Sequence, residues 1–279
     1  MVTMNRLSTE QRIQVVSALV EGSSIRSIVH MTGVSKNTIS KLLVELGKVC
    51  SDYQDKIMRN LTCKRLQCDE IWAFCYVKQK NVPEEYKGEF GYGDIWTWTA
   101  MDADTKLVPG WLVGLRDAEW ASAFIKDLAG RFSNRVQLTI DGHKAYLEAV
   151  ESAVGSDIDY AMLVKIYGNK QPGETRYSPA DCTGSKTLSI QDKPELEYVS
   201  TSYIERQNLT MRMSMRRFTR LTNGFSKKVE NLEAAIALHF MNYNFCRVHQ
   251  TLKKTPAMAA GLAKYPWTIR DIIDLFEKH

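Results

Sequence analysis

Over residues 8–47 the apolar positions fall at helical spacing in three short runs, each bounded by capping or turn residues. Ser8 with Gln11 forms a capping box ahead of the stripe Ile13, Val16 and Val20, which Glu21-Gly22 stops. Ile25, Ile28 and Val29 mark a second helix, broken at Thr32-Gly33; Ser35 caps a third, with the stripe Ile39, Leu42, Leu43 and Leu46. The pattern predicts an all-α helix-turn-helix unit over residues 1–48. Residues 49–62, mixed and polar, read as a linker or connecting helix.

The period then changes. Leu66–Val77, Asp94–Met101 and Leu107–Gly114 are rich in aromatic and β-branched residues and read as a three-stranded meander, with a turn at Asp102-Ala103-Asp104-Thr105. A helix starting at Asp117 or Ala118 carries Trp120, Phe124 and Leu128 on one face. Strand Val136–Ile140, helix Lys144–Val154 and strand Tyr160–Ile166 follow. Meander followed by alternating helix and strand predicts a mixed α/β fold, a mixed sheet flanked by helices over residues 63–265. The segment 168–200 is polar, rich in Gly and Pro and without period, and reads as a loop or small insertion. A long helix is expected from Thr201 toward Arg220, another over Val229–Asn244, and a short C-terminal helix in the tail 266–279.

Composition narrows the class. The chain has 279 residues, 44% of them hydrophobic, which is enough for one large domain or a large one plus a small one. No uncharged apolar run reaches bilayer length, and Met1 to Arg12 lacks the apolar core of a signal peptide; both place the chain in the cytosol with no membrane partner. The six cysteines show neither Cys-x-x-Cys nor zinc-site spacing with His, so small buried hydrophobes are expected. The net charge of +5 is uneven: residues 1–65 hold twice as many Lys and Arg as Asp and Glu. A second basic stretch from Arg206 to Lys228 contains no acid at all. Two basic regions suggest a polyanionic partner, although either alone could be a solvated helix face. In a helix-turn-helix the second helix reads the major groove with its first residues, here Lys36, Asn37, Thr38, Ser40 and Lys41, all able to bond phosphates or base edges.

Three acids lie on separate expected elements: Asp69 (beside Glu70) in the first strand, Asp141 at the end of the strand Val136–Ile140, and Glu205 early in the helix after Thr201. Phosphodiester cleavage or exchange uses two divalent ions about 3.5–4 Å apart, and hard Mg²⁺ needs only a few carboxylates. If the strands bearing Asp69 and Asp141 are neighbours, the two acids share a site, and Glu205 reaches in from its helix. On that helix Glu205, Asn208 and Arg212 share a polar face, with Ile204, Met211, Met215 and Phe218 on the apolar one. Singly, each acid has a plainer reading: a turn at Asp141-Gly142, an edge charge, a solvated helix residue. Alternation leaves Asp69 and Glu70 undecided, and His143 is a candidate contact for a phosphate or water.

At these residues the chain resembles the insertion sequence 1 family of DDE transposases. The resemblance lies in Asp69-Glu70-Ile71-Trp72, in Thr139-Ile140-Asp141-Gly142 and, most specifically, in Tyr203-Ile204-Glu205-Arg206-Gln207-Asn208-Leu209-Thr210-Met211-Arg212. Phe225-Ser226-Lys227-Lys228-Val229-Glu230 and the segment Asn244 to Leu252 are also similar, so that most of residues 63–260 is covered. It implies an RNase H-like catalytic fold, Mg²⁺ (with Mn²⁺ as substitute), and a catalytic, metal-holding triad of Asp69, Asp141 and Glu205, which chooses Asp69 over Glu70. Asp69 would then bridge two ions, with Asp141 and Glu205 holding one each. The Cys-rich zinc-finger segment common in that family has no ligands here.

The sequence therefore leads to an expected DNA transposase that binds double-stranded element ends and target DNA, works at the nucleoid of a bacterial cytoplasm, and acts as a homodimer or larger assembly on DNA. Arg206, Arg212, Arg216 and Arg217 would contact DNA, and Asn208 would orient Glu205 or a water. The rival expectation is a non-catalytic helix-turn-helix regulator with a sensing or assembly domain; a nuclease on the same fold is a third.

Overall fold

Serine caps begin the N-terminal helices of the computed structural model, which describes residues 7–143, 145–154, 158–168, 182–219 and 223–278. Ser8, Ser24 and Ser35 each accept a backbone N–H at the start of α1 (Thr9–Val20), α2 (Ile25–Thr32) and α3 (Lys36–Ile57), and the Ser8–Gln11 capping box is formed in both directions. Gly33, at φ 70°, makes the left-handed turn from α2 into α3.

Helix α3 does not stop near residue 48. It continues to Ile57, so that much of the segment read as a linker or connecting helix is helix, and it is packed: Cys50 is fully buried, and buried Gln54 donates through Nε2 to the Ala237 carbonyl at 3.1 Å. Ala237 lies on α7 (Val229–Met241). The two helices approach so closely that a Cβ on Gly47 would stand 2.5 Å from Ala234 Cα. The C-terminal helix (Ile269–Lys278) returns to the same core through Ile272 and Ile273, with Arg12 bonded to Glu277 at 2.6 Å. Three helices are too few to bury their own stripes, and α7 and the C-terminal helix complete that core.

The sheet comprises β1 (Arg65–Cys75), β2 (Gly93–Asp102), β3 (Gly110–Gly114), β4 (Val136–Asp141), β5 (Ile158–Tyr167) and β6 (Cys182–Gln191), in the order β3-β2-β1-β4-β5-β6. Strands β4 and β5 run parallel to β1; β2, β3 and β6 pair antiparallel with their neighbours. Helices α4 (Ala118–Ala129) and α5 (Ala145–Val154) cover one face over Phe124, Leu138 and Tyr146. Helices α6 (Ser202–Ser214) and α7 cover the other over Ile71, Ile95, Met211 and Phe240. This is the expected mixed α/β architecture, in the RNase H-like arrangement that the family resemblance implies. Among the described residues no helix is long and apolar enough to cross a membrane.

Three expectations need correction. Strand β3 starts at Gly110 rather than Leu107, because the amide of buried Asn244 takes both backbone groups of Val108, each at 3.0 Å, in place of a strand partner. The polar segment 168–200 contains β6, an exposed strand whose polar residues on both faces give no alternation to read; residues 169–181 lie outside the described ones. The helix after Thr201 ends at Ser214, where Met215 turns extended (φ −130°, ψ 112°) so that it and Phe218 bury against the sheet. Lys144 and Arg220 are outside the described residues.

Candidate active site

The parallel ladder between β1 and β4 brings the two aspartates together. Its register pairs Cys68 with Ile140, and both side chains are fully buried beneath α4 and α5. The next residue on each strand must point to the opposite face. Asp69 and Asp141 therefore stand side by side on strands about 4.8 Å apart, on the face that α6 crosses. Glu70, one step along, is turned back among Trp98 and Tyr146. The ambiguity left by alternation is resolved by which helix covers which face.

Helix α6 carries Glu205 in its first turn. Its own cap residue, Thr201, makes no side-chain bond to the helix backbone; instead Gln67 Oε1, reaching up from β1, accepts from Tyr203 N at 3.0 Å and Ile204 N at 3.1 Å. A strand residue two positions before Asp69 thus fixes the end of the helix that presents Glu205. Further along, Asn208 Nδ2 donates to Asp69 Oδ2 at 2.8 Å, while Glu70 N donates to Asp69 Oδ1 at 2.8 Å. Asn208 accordingly positions Asp69, where the sequence suggested Glu205 or a water.

Asp69, Asp141 and Glu205 line one open cavity of about 770 Å³ together with Arg116, His143 and Lys165. Burial, then the neighbouring Asp141, pushes the Asp69 carboxyl up to about 6, with Glu205 adding to the repulsion. Glu205 is held away from full convergence: Lys165 Nζ bonds it at 2.5 Å, and the Thr201 hydroxyl donates to its other oxygen. Among the described residues no three Asp, Glu, His or Cys side chains are grouped so as to hold one ion as they stand. The donor set nevertheless suits a hard divalent cation, since it is all carboxylate oxygen and its repulsion is what a cation would relieve.

Sequence reasoning missed Gln67, Arg116 and Lys165, because nothing local marks them. Arg116 precedes α4, and its guanidinium lies over the Trp96 ring at 4.6 Å. It also donates to Glu70 Oε2 at 3.1 Å. Burial, then Asp141, pushes Glu70 up to about 7 in spite of Arg116. His143 donates its backbone N–H to Asp141 Oδ1 at 3.1 Å, and its Nδ1 accepts from Ala145 N at 3.3 Å. Burial lowers its pKa, so the ring is neutral, with the proton on Nε2 by inference from that bond.

The basic residues are dispersed. Lys36, Asn37 and Lys41 are exposed at the start of α3; Ser40 is half-buried, and the Thr38 hydroxyl is engaged with Ser35 at 2.9 Å. Arg206 is exposed but faces the groove on the other side of the α6 N-terminus. Arg212 is half-buried. Arg216 and Arg217 line a cleft against the start of α2, where Arg217 bonds Ser226 Oγ at 2.5 Å and burial pushes its pKa down. The stretch expected to form one basic helix is divided by the break at Met215, so these arginines do not form a single surface with Glu205.

No protein-family profile matches the chain, and no curated protein matches it. Among solved structures it is similar to a piggyBac transposase synaptic complex with hairpin DNA, at 11% identity and TM-score 0.47, over 100% of this chain and 73% of that one. It is also similar to a pre-cleavage Mos1 transpososome (8% identity, TM-score 0.32, 100% and 80% of the two chains). A Mos1 mariner paired end complex with Mn is a third (9%, 0.27, 95% and 82%).

Proposed function

We propose that this chain is a DNA transposase of the insertion sequence 1 type, acting as a metal-dependent polynucleotidyl transferase through Asp69, Asp141 and Glu205. The observation that carries the reading is the meeting of three carboxylates from β1, β4 and α6 in one open cavity, two of them side by side. Asp69 and Asp141 would hold Mg²⁺, or Mn²⁺ in its place, and Glu205 would complete the set on parting from Lys165. Such ions supply the field that activates the attacking oxygen and steadies the leaving oxygen of a phosphodiester.

The remaining residues orient and bind. Asn208 holds Asp69 in one rotamer, and Gln67 holds the helix of Glu205 at a fixed height over β1. Arg116, braced by Glu70 and Trp96 at the cavity wall, offers a guanidinium to a phosphate oxygen. His143 holds Asp141 through its backbone N–H, which donates to Asp141 Oδ1.

In the first step water attacks the phosphorus at the element end, breaking the P–O3′ bond to leave a 3′-hydroxyl and a 5′-phosphate. That hydroxyl then attacks a target phosphodiester and releases the target's own 3′-oxygen. The α1–α3 unit, with Lys36, Asn37, Thr38, Ser40 and Lys41 at the start of its last helix, binds the duplex ends, and cutting two ends together calls for at least a homodimer on DNA.

Supercoiled plasmid carrying the element's ends tests this. Divalent-ion-dependent nicking and joining are expected, and Asp141→Asn should abolish both while end binding persists. Nicking undiminished in Asp141→Asn, or absent from the wild-type protein on its cognate ends, would overturn the assignment and favour the non-catalytic regulator.

A further inference from the structure

Across the N-terminal turn of α6 from the carboxylates lies a second, larger groove of about 880 Å³, walled by residues 197–203, β1 and the segment 247–252. Two tyrosines on its wall are unusual in how they are held. Tyr203 is 45% exposed, yet its ring is braced by the buried Lys106, whose Nζ lies 3.0 Å from the centroid. Tyr198 is 44% exposed and is braced in the same way by Arg65, at 4.4 Å. Lys106 is itself anchored: its Nζ donates to the Ala103 carbonyl, and its own carbonyl accepts the Tyr243 hydroxyl at 3.1 Å. Arg65 is paired with Asp104. Each ring is therefore fixed on one side by an immobilised cation and left nearly half open to solvent, at the cost of exposing aromatic surface.

The groove also carries donors without partners. Gln207, 2% exposed, lines it with Nε2 unpaired. Arg206 and Arg247, both exposed on its wall, form no ion pair among the described residues. Fixed π-faces, unpaired arginines and a buried amide donor are together the chemistry of a site for unstacked nucleotides: bases stack on the rings, phosphates meet the arginines, and a base carbonyl accepts from the amide. The interior of a duplex offers the rings no π-face, because its bases are stacked on one another.

We propose that this groove binds an unpaired segment of DNA strand beside the catalytic carboxylates, with Tyr198 and Tyr203 as stacking platforms. The proposal rests on the reading of the chain as a protein that acts on DNA. It goes further in separating two binding surfaces: duplex at the start of α3, unpaired strand along α6.

The test measures binding of the full chain to a fluorescent single-stranded oligothymidine 12-mer and, separately, to a blunt duplex of element end, by anisotropy over a range of salt. Replacing both rings, Tyr198→Ala with Tyr203→Ala, is expected to weaken oligothymidine binding roughly tenfold or more and to leave duplex affinity unchanged. Tyr198→Phe with Tyr203→Phe should bind as the wild type does. Arg247→Ala should lower the slope of log affinity against log salt for the single strand by about 0.7. Wild-type affinity for the oligonucleotide in the double alanine variant, with duplex binding intact, would overturn the groove and leave the transposase reading standing. Absence of binding to either DNA at low salt would overturn both. Both tyrosines lie outside the apolar cores, and an unchanged melting temperature checks that the variants are folded.

Discussion

Replacing Asp69 with Asn should make the metal-free protein more stable while destroying its chemistry. A carboxyl whose pKa rises from the usual 3.8 to about 6 is less favourable in its ionised form by about 3 kcal/mol, at 1.36 kcal/mol per tenfold in proton affinity. The native protein holds this proton more tightly than the unfolded chain does. The group's contribution therefore becomes unfavourable as pH rises from about 4 through about 6, and the penalty is complete above that. An asparagine removes it and keeps an oxygen for the Glu70 N–H. Asn208 Oδ1 is buried without a partner, so a turn of that amide lets it accept from the new Nδ2. Exchanging a charge-assisted bond for a neutral one costs about 1 kcal/mol, leaving a net gain of about 1–2 kcal/mol, or roughly 2–8 °C in melting temperature for a chain of this size. Calorimetry in EDTA at pH 7.5 should show Asp69→Asn melting above wild type, with the difference vanishing near pH 4. Saturating Mg²⁺ should raise the wild type and not the variant. A variant that melts lower in EDTA at pH 7.5, or a difference independent of pH, would refute the claim that Asp69 is held against electrostatic resistance.

Gly47→Ala should destabilise the protein by about 1–3 kcal/mol in chemical denaturation, because its methyl would meet the α7 backbone at Ala234; an unperturbed midpoint would mean that α3 and α7 are not closely docked in solution. Gln67→Ala leaves the N–H groups of Tyr203 and Ile204 without their acceptor, which should cost about 2 kcal/mol. It should also slow nicking beyond any loss of folded protein, and equal loss of activity and folded fraction would limit Gln67 to a structural role.

The caps and turns were legible in the sequence because they are local: Ser8, Ser35, Gly33 and Asp117 act on residues within a turn of themselves. The strands of the mixed sheet were legible from period and composition, and the neighbourhood of Asp69 and Asp141 followed once β1 and β4 were taken as adjacent. Where the reading misplaced an edge or left an alternative open, the deciding partner was far away along the chain. Strand β3 begins late because of Asn244, and the segment read as a linker or connecting helix is helical as far as Ile57, where Gln54 meets Ala237.

By itself, then, the sequence determined the order and kind of most elements and the three acids worth weighing, since period, caps and short motifs are properties of neighbouring residues. Only the tertiary structure decided which acid of Asp69-Glu70 faces α6, that Asn208 serves Asp69, that Lys165 engages Glu205, and that Arg206 belongs to a separate groove. Each of these depends on which sheet face a distant helix covers, and that is set by packing the whole core rather than by any local stretch of chain.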